Sequence, residues 1–168
     1  MRASDQTYAP EASAVFPRRR LRHRLRREWG VLAAVAVGGG CGALARYLID
    51  QAIPVRPGAM PWATLVINVV GCLVLGALNV YLLEVWPPRR YVRPLCAIGF
   101  LGGFTTFSTY TAEIRDLMGR GAVPLAAGYA LGSLAAGVAA LWGGVAAARL
   151  ASRHRLRRVG GGGRVNGR

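Results

Sequence analysis

The chain has 168 residues, 53% of them hydrophobic, and a net charge of +15 carried on arginine alone, with 22 arginines and no lysine. Residues 30–45 and 57–83 contain no charged side chain. Apolar runs of about 20 residues match a ~30 Å hydrocarbon layer at ~1.5 Å per helical residue, which argues against a soluble globular fold; arginines confined to tails and one link, without a basic stripe on a folded face, argue against nucleic-acid binding.

Residues 1–28 open the chain with a polar stretch and an arginine-rich run (Pro17-Arg18-Arg19-Arg20-Leu21-Arg22-His23-Arg24-Leu25-Arg26-Arg27), a composition that predicts a disordered cytoplasmic tail. A cleaved leader is disfavoured: the apolar run that follows is long, and Gly39-Gly40-Cys41 lacks the leucine of a lipoprotein site. The first helix is expected over about 29–49 and the second over about 62–83, joined by a turn-rich link holding Pro54, Pro57, Gly58 and Pro61. A second link contains Trp86-Pro87-Pro88-Arg89-Arg90. The third helix is expected from Arg93-Pro94, with proline in its first turn, to about Met118. Gly119, Gly121 and Pro124 lead into the fourth, over about 123–148. Residues 29–149 thus form a four-helix membrane domain, and residues 150–168, rich in arginine and glycine, a second disordered tail.

Four crossings place both termini on one side. Eighteen arginines then lie on the side of the tails, only Arg56, Arg115 and Arg120 lie opposite, and Arg46 falls inside the membrane. Positive flanks remain in the cytoplasm, so the protein is expected to be a multi-pass cell-membrane protein with both termini cytoplasmic. Cys41, Cys72 and Cys96 lack metal-type spacing and read as small packing residues.

Polar side chains inside a bilayer are costly and face protein or water, so the interruptions of the apolar pattern carry the functional information. Arg46 follows Gly38 and Gly42 on one helix face, where it either attracts an anion into a vestibule or snorkels to the headgroups from a helix end. Asn68 shares a face with Thr64 and Cys72, with Gly71 beside it. Its amide either bonds two helices together or offers N–H donors to a dehydrated anion. The strongest signal is Gly99-Phe100-Leu101-Gly102-Gly103-Phe104-Thr105-Thr106-Phe107-Ser108-Thr109-Tyr110-Thr111. Glycines beside β-branched threonines weaken a helix, hydroxyls satisfy the backbone groups a break frees, and broken membrane helices usually surround an ion or substrate. Phe107 and Tyr110 share a face that either packs or lines an anion path with positive ring edges, and Tyr129 and Ser133 align on a close-packing or polar-track face of the last helix.

These strings resemble the CrcB or Fluc family of fluoride channels. The resemblance rests on Gly38-Gly39-x-x-Gly42-Ala43-x-x-Arg46-Tyr47, on Thr64-Leu65-x-x-Asn68-x-x-Gly71, and chiefly on Gly99-Phe100-x-Gly102-Gly103-x-Thr105-Thr106-Phe107-Ser108-Thr109. It implies an all-α membrane protein with a broken third helix, assembled as an inverted dimer around two narrow fluoride pores, and passive efflux that lowers fluoride toxicity. Asn68, Phe107, Ser108, Thr109, Tyr110, Tyr129 and Ser133 correspond to the family's pore. Arg46 and Glu113 correspond to its vestibule or helix-end charges. The backbone carbonyls of Gly102 and Thr105 correspond to the ligands of a structural sodium ion at the dimer centre. Tyr110 stands where the family usually has phenylalanine, so its hydroxyl either joins the polar track or alters one pore. The arginine asymmetry favours an oppositely oriented paralogous subunit as partner over self-pairing.

Two other readings fit parts of the pattern. A small four-helix multidrug-type exporter would need a buried glutamate in its first helix, where this chain has Arg46; a non-transporting membrane assembly protein would need only the glycine faces. No nucleophile, base and metal-ligand set converges, so the chain is not expected to be an enzyme.

Overall fold

The computed structural model describes the backbone of residues 18–54 and 56–161 and the side chains of residues 28–54 and 56–153. Among the described residues every regular element is helical: α1 (Arg18–Ala52), α2 (Trp62–Val80), α3 (Leu101–Phe104), α4 (Phe107–Gly119) and α5 (Val123–Gly161). Two π-helical turns, Tyr81–Val85 and Arg93–Phe100, extend α2 and lead into α3. Three helical stretches, Glu28–Ala52, Trp62–Val85 and Val123–Arg153, are long and apolar enough to cross a membrane.

Helix runs on into both arginine-rich ends of the chain, over residues 18–28 and 150–161, where arginine and leucine are good helix formers and no glycine or proline intervenes before Gly160. Residues 1–17 and 162–168 lie outside the described part of the chain.

Proline and glycine set the other boundaries. α2 starts directly after Pro61, and its π turn is closed by the Trp86 N–H, which donates to the Tyr81 carbonyl at 2.8 Å. Trp86 itself is extended (φ −93°, ψ 144°), as a residue before proline tends to be. α4 ends where Gly121 adopts φ 76°, the left-handed conformation that favours glycine after a helix.

Helices meet through glycine. α1 packs along the limb formed by Arg93–Phe100 and α3, and α2 packs along α5. A methyl group built on Gly38 would strike the Leu95 carbonyl, one on Gly42 the Phe100 carbonyl, and one on Gly103 the Gly39 carbonyl. On the other seam a methyl at Gly76 would strike Leu141 O, and one at Gly144 would strike Leu73 O. Backbones in such contact gain dispersion and leave no room for a side chain, which is how membrane helices associate without a hydrophobic drive between them.

The interior is small, centred on Leu117, Ala126 and Tyr129 where α4 meets α5, with Met60, Leu65, Tyr110 and Ile114 around it. Large apolar side chains meanwhile face outward, including Leu131 (70% exposed), Leu134 (66%) and Trp142 (69%) on α5. Apolar surface on this scale is compatible with lipid or a second subunit and not with water.

Candidate functional site

The interruption expected in the third helix lies at Thr105 and Thr106. α3 finishes there: both the N–H and the Oγ1 hydroxyl of Thr105 donate to the Leu101 carbonyl, each at 2.9 Å. The chain then runs extended through Thr105 (φ −77°, ψ 155°) and Thr106 (φ −144°, ψ 124°) before α4 begins at Phe107. Gly71 allows the excursion, since a methyl there would overlap the Thr105 Cγ2 that now rests against α2.

Extended residues lose the helical partners of their peptide groups, and in a membrane those groups must be satisfied by the protein. Asn68 on α2 does this for Thr106. Its Oδ1 accepts the Thr106 N–H at 2.9 Å, and its Nδ2 donates to the Thr106 carbonyl at 3.0 Å. The Thr106 side chain, 8% exposed, then caps α4: its Oγ1 accepts the Thr109 N–H at 3.1 Å, donates to Thr109 Oγ1 at 3.0 Å and lies 3.2 Å from Ser108 Oγ.

Beyond the cap, α4 carries aromatic rings. Phe107 is 77% exposed, its ring centroid 5.8 Å from that of Tyr110, which in turn lies 5.4 Å from Tyr129. The Tyr110 hydroxyl donates to the Ala130 carbonyl on α5 at 2.7 Å. One turn further along α4 from Tyr110, Glu113 accepts two hydrogen bonds, from Thr64 Oγ1 to Oε1 and from the Tyr129 hydroxyl to Oε2, each 2.7 Å long. Thr64 and Tyr129 are each 1% exposed, so this carboxylate joins α2, α4 and α5 where water has little access.

A family model described as "CrcB-like protein, Camphor Resistance (CrcB)" matches residues 33–145, which contain all of these groups. The chain belongs to the CrcB family. Curated relatives carry the name fluoride-specific ion channel FluC: one from Nocardia farcinica is 50% identical over 73% of this chain and 87% of its own length. Two more, from Streptomyces avermitilis and Streptomyces coelicolor, are 49% and 44% identical over 81% and 71% of this chain and 66% and 77% of their own lengths.

Within this CrcB fold the structure gathers Asn68, Thr105, Ser108, Thr109, Phe107 and Tyr110 at the break and its cap, and joins Tyr110 to Tyr129 and Glu113. The Asn68 amide makes two bonds to Thr106, and its second N–H has no partner among the described residues. Glu113 is half-buried within α4, between Thr64 and Tyr129. The Ser133 hydroxyl oxygen is buried without a hydrogen-bond partner among the described residues. Arg46 stands apart on α1, half-buried, and makes no hydrogen bond or ion pair among the described residues.

Thr106 and Thr64 carry more of the geometry than their place in the sequence reading suggested. A threonine directly before the first helical residue is a capping signal that could have singled out Thr106. Thr64 had only its shared face with Asn68. The break also bears on the cation implied at Gly102 and Thr105. In a continuous helix their carbonyls would accept the N–H groups of Thr106 and Thr109, but these go to Asn68 and to the Thr106 hydroxyl. Two carbonyl oxygens are thus released, and a methyl at Gly102 would meet no atom within 4 Å, so the residues present suit a hard cation held by backbone oxygens.

Proposed function

We propose that this CrcB-family chain is a fluoride-specific channel that lets cytoplasmic fluoride leave the cell by passive flow, without catalysis. The observation that carries the reading is the break itself: an extended Thr105-Thr106 pair in an apolar bundle, capped by clustered hydroxyls beside the exposed ring of Phe107. Fluoride is small and strongly hydrated, so a dry pathway must replace its water with donors and positive ring edges yet bind loosely enough to release it. The remaining Asn68 N–H, the hydroxyls of Ser108 and Thr109, the buried Ser133 hydroxyl and the edges of Phe107 and Tyr110 have the required chemistry.

In this reading residues 93–119 form the third of four crossings, bent at the break, and both termini are cytoplasmic on the arginine-rich side. The outward apolar faces are covered by an oppositely oriented subunit, a paralogue by the arginine asymmetry, and a sodium ion rests on the carbonyls of Gly102 and Thr105 where the subunits meet. Arg46, unpaired and half-buried, contributes positive potential near one end of the path.

Fluoride efflux from liposomes, with and without the paralogue, tests the function. Efflux is expected with the pair and is expected to vanish in Asn68→Leu and Phe107→Ile; normal efflux in both variants removes these residues from the pathway. A reporter fused at the C-terminus should remain wholly cytoplasmic, and substantial outside exposure would restore self-pairing. Exchange of sodium for a bulky organic cation should lower the thermal stability of the assembled pair.

A further inference from the structure

The link that follows α2 is built unlike the one that precedes it. Each lies beside an open cavity containing a tryptophan suited to the membrane interface. Before α2 the cavity, of about 460 Å³, is lined by Ile53, Pro54, Met60 and Trp62 with a single arginine, Arg56. After α2 the cavity is about 610 Å³, its apolar wall formed by Leu82, Leu83, Trp86 and two prolines, its rim by Arg89, Arg90 and Arg93. The Trp86 side of the wall is tied to Tyr81: its N–H closes the π turn, and the two rings lie 5.4 Å apart.

The nearby acid does not neutralise this rim. Glu84 accepts two bonds from Arg149, at 2.8 and 3.2 Å. Arg89 and Arg93 are exposed and form no ion pair among the described residues, while Arg90 lies 5.1 Å over the Tyr91 ring.

We propose that this cavity binds an anionic phospholipid, with the headgroup phosphate on Arg89 and Arg93 and an acyl chain along Leu82, Leu83 and Trp86. Guanidinium groups match phosphate oxygens in a planar, two-point geometry, and a tryptophan at headgroup depth fixes the height of the ligand. The apolar wall below the arginines decides the occupant, because a free phosphate ion would use the rim and leave the wall exposed.

The experiment uses full-length protein in which Trp86 is the single tryptophan (W29F/W62F/W142F), in phosphatidylcholine vesicles containing equal fractions of brominated phosphatidylglycerol or brominated phosphatidylcholine. Each arginine near an anionic surface is worth about fivefold in binding, so the anionic quencher should be enriched at Trp86 by at least about fivefold. That preference should fall to near parity in R89Q/R93Q, and a protein whose single tryptophan is Trp62 should show a much smaller one. Equal quenching by the two lipids overturns the proposal, as does a preference that survives R89Q/R93Q. Release by millimolar inorganic phosphate would identify a free-anion site, and equal loss in R18Q/R19Q/R20Q would identify a diffuse field from the tail; either result also overturns it. Fluoride efflux from vesicles that also hold the paralogue reports separately on the channel and is expected to persist in R89Q/R93Q.

Discussion

α2 makes two kinds of contact within three turns, and they do opposite work. At Gly76 it lies against the Leu141 carbonyl of α5 with no room for a side chain. At Asn68 it extends an amide that holds a stretch of non-helical backbone in place. The glycine seam fixes the distance between two regular helices and has no spare chemistry. The polar contact fixes the shape of an irregular segment, and because its partners are peptide groups it leaves carbonyls and hydroxyls over for a ligand.

Breaking the glycine seams should have the largest effect. Gly144→Leu and Gly42→Val each force a side chain onto backbone carbonyls, and a loss of about 3 kcal/mol or more is expected, seen as aggregation on size-exclusion chromatography after detergent extraction. Asn68→Leu should come next. It strands the N–H and C=O of Thr106, at about 1–3 kcal/mol for each unsatisfied group, and should lower the melting temperature in detergent as well as stop efflux.

The Glu113 cluster should respond smaller and cooperatively. Thr64→Val and Tyr129→Phe are expected to cost about 1–2 kcal/mol each alone and clearly less in a Glu113→Gln background, a coupling of about 1 kcal/mol measurable by a double-mutant cycle. Tyr110→Phe should be mildest, about 1 kcal/mol from the bond to Ala130, with efflux retained because the ring stays in place. Loss of efflux in Tyr110→Phe would instead make that hydroxyl part of the pathway.

The position of the break was legible because its cause is local: two glycines and two β-branched residues in succession weaken a helix wherever they stand. The glycine faces were legible for a similar reason, as Gly38 and Gly42 repeat at the period of one helix. Partners of the hydroxyls were not. Thr64 and Glu113 are 49 residues apart, Tyr129 and Glu113 are 16 apart, and nothing in either spacing says that three helices bring them within 2.7 Å. The same blindness applies to the hydroxyls of Tyr110 and Tyr129, which donate to Ala130 and Glu113.

The contact of Thr105 with Gly71 has a consequence for how the molecule is made. The break is shaped from outside, by a methyl-sized gap and an amide that both belong to α2, and α2 is synthesised earlier than the segment it bends. During translation the mould is therefore already in the bilayer when the glycine-threonine stretch emerges, and that stretch can settle directly into its kinked form. Were the order of these two segments reversed in a permuted chain, the irregular piece would have to wait with its peptide groups unprotected, and membrane quality control would meet it in that state.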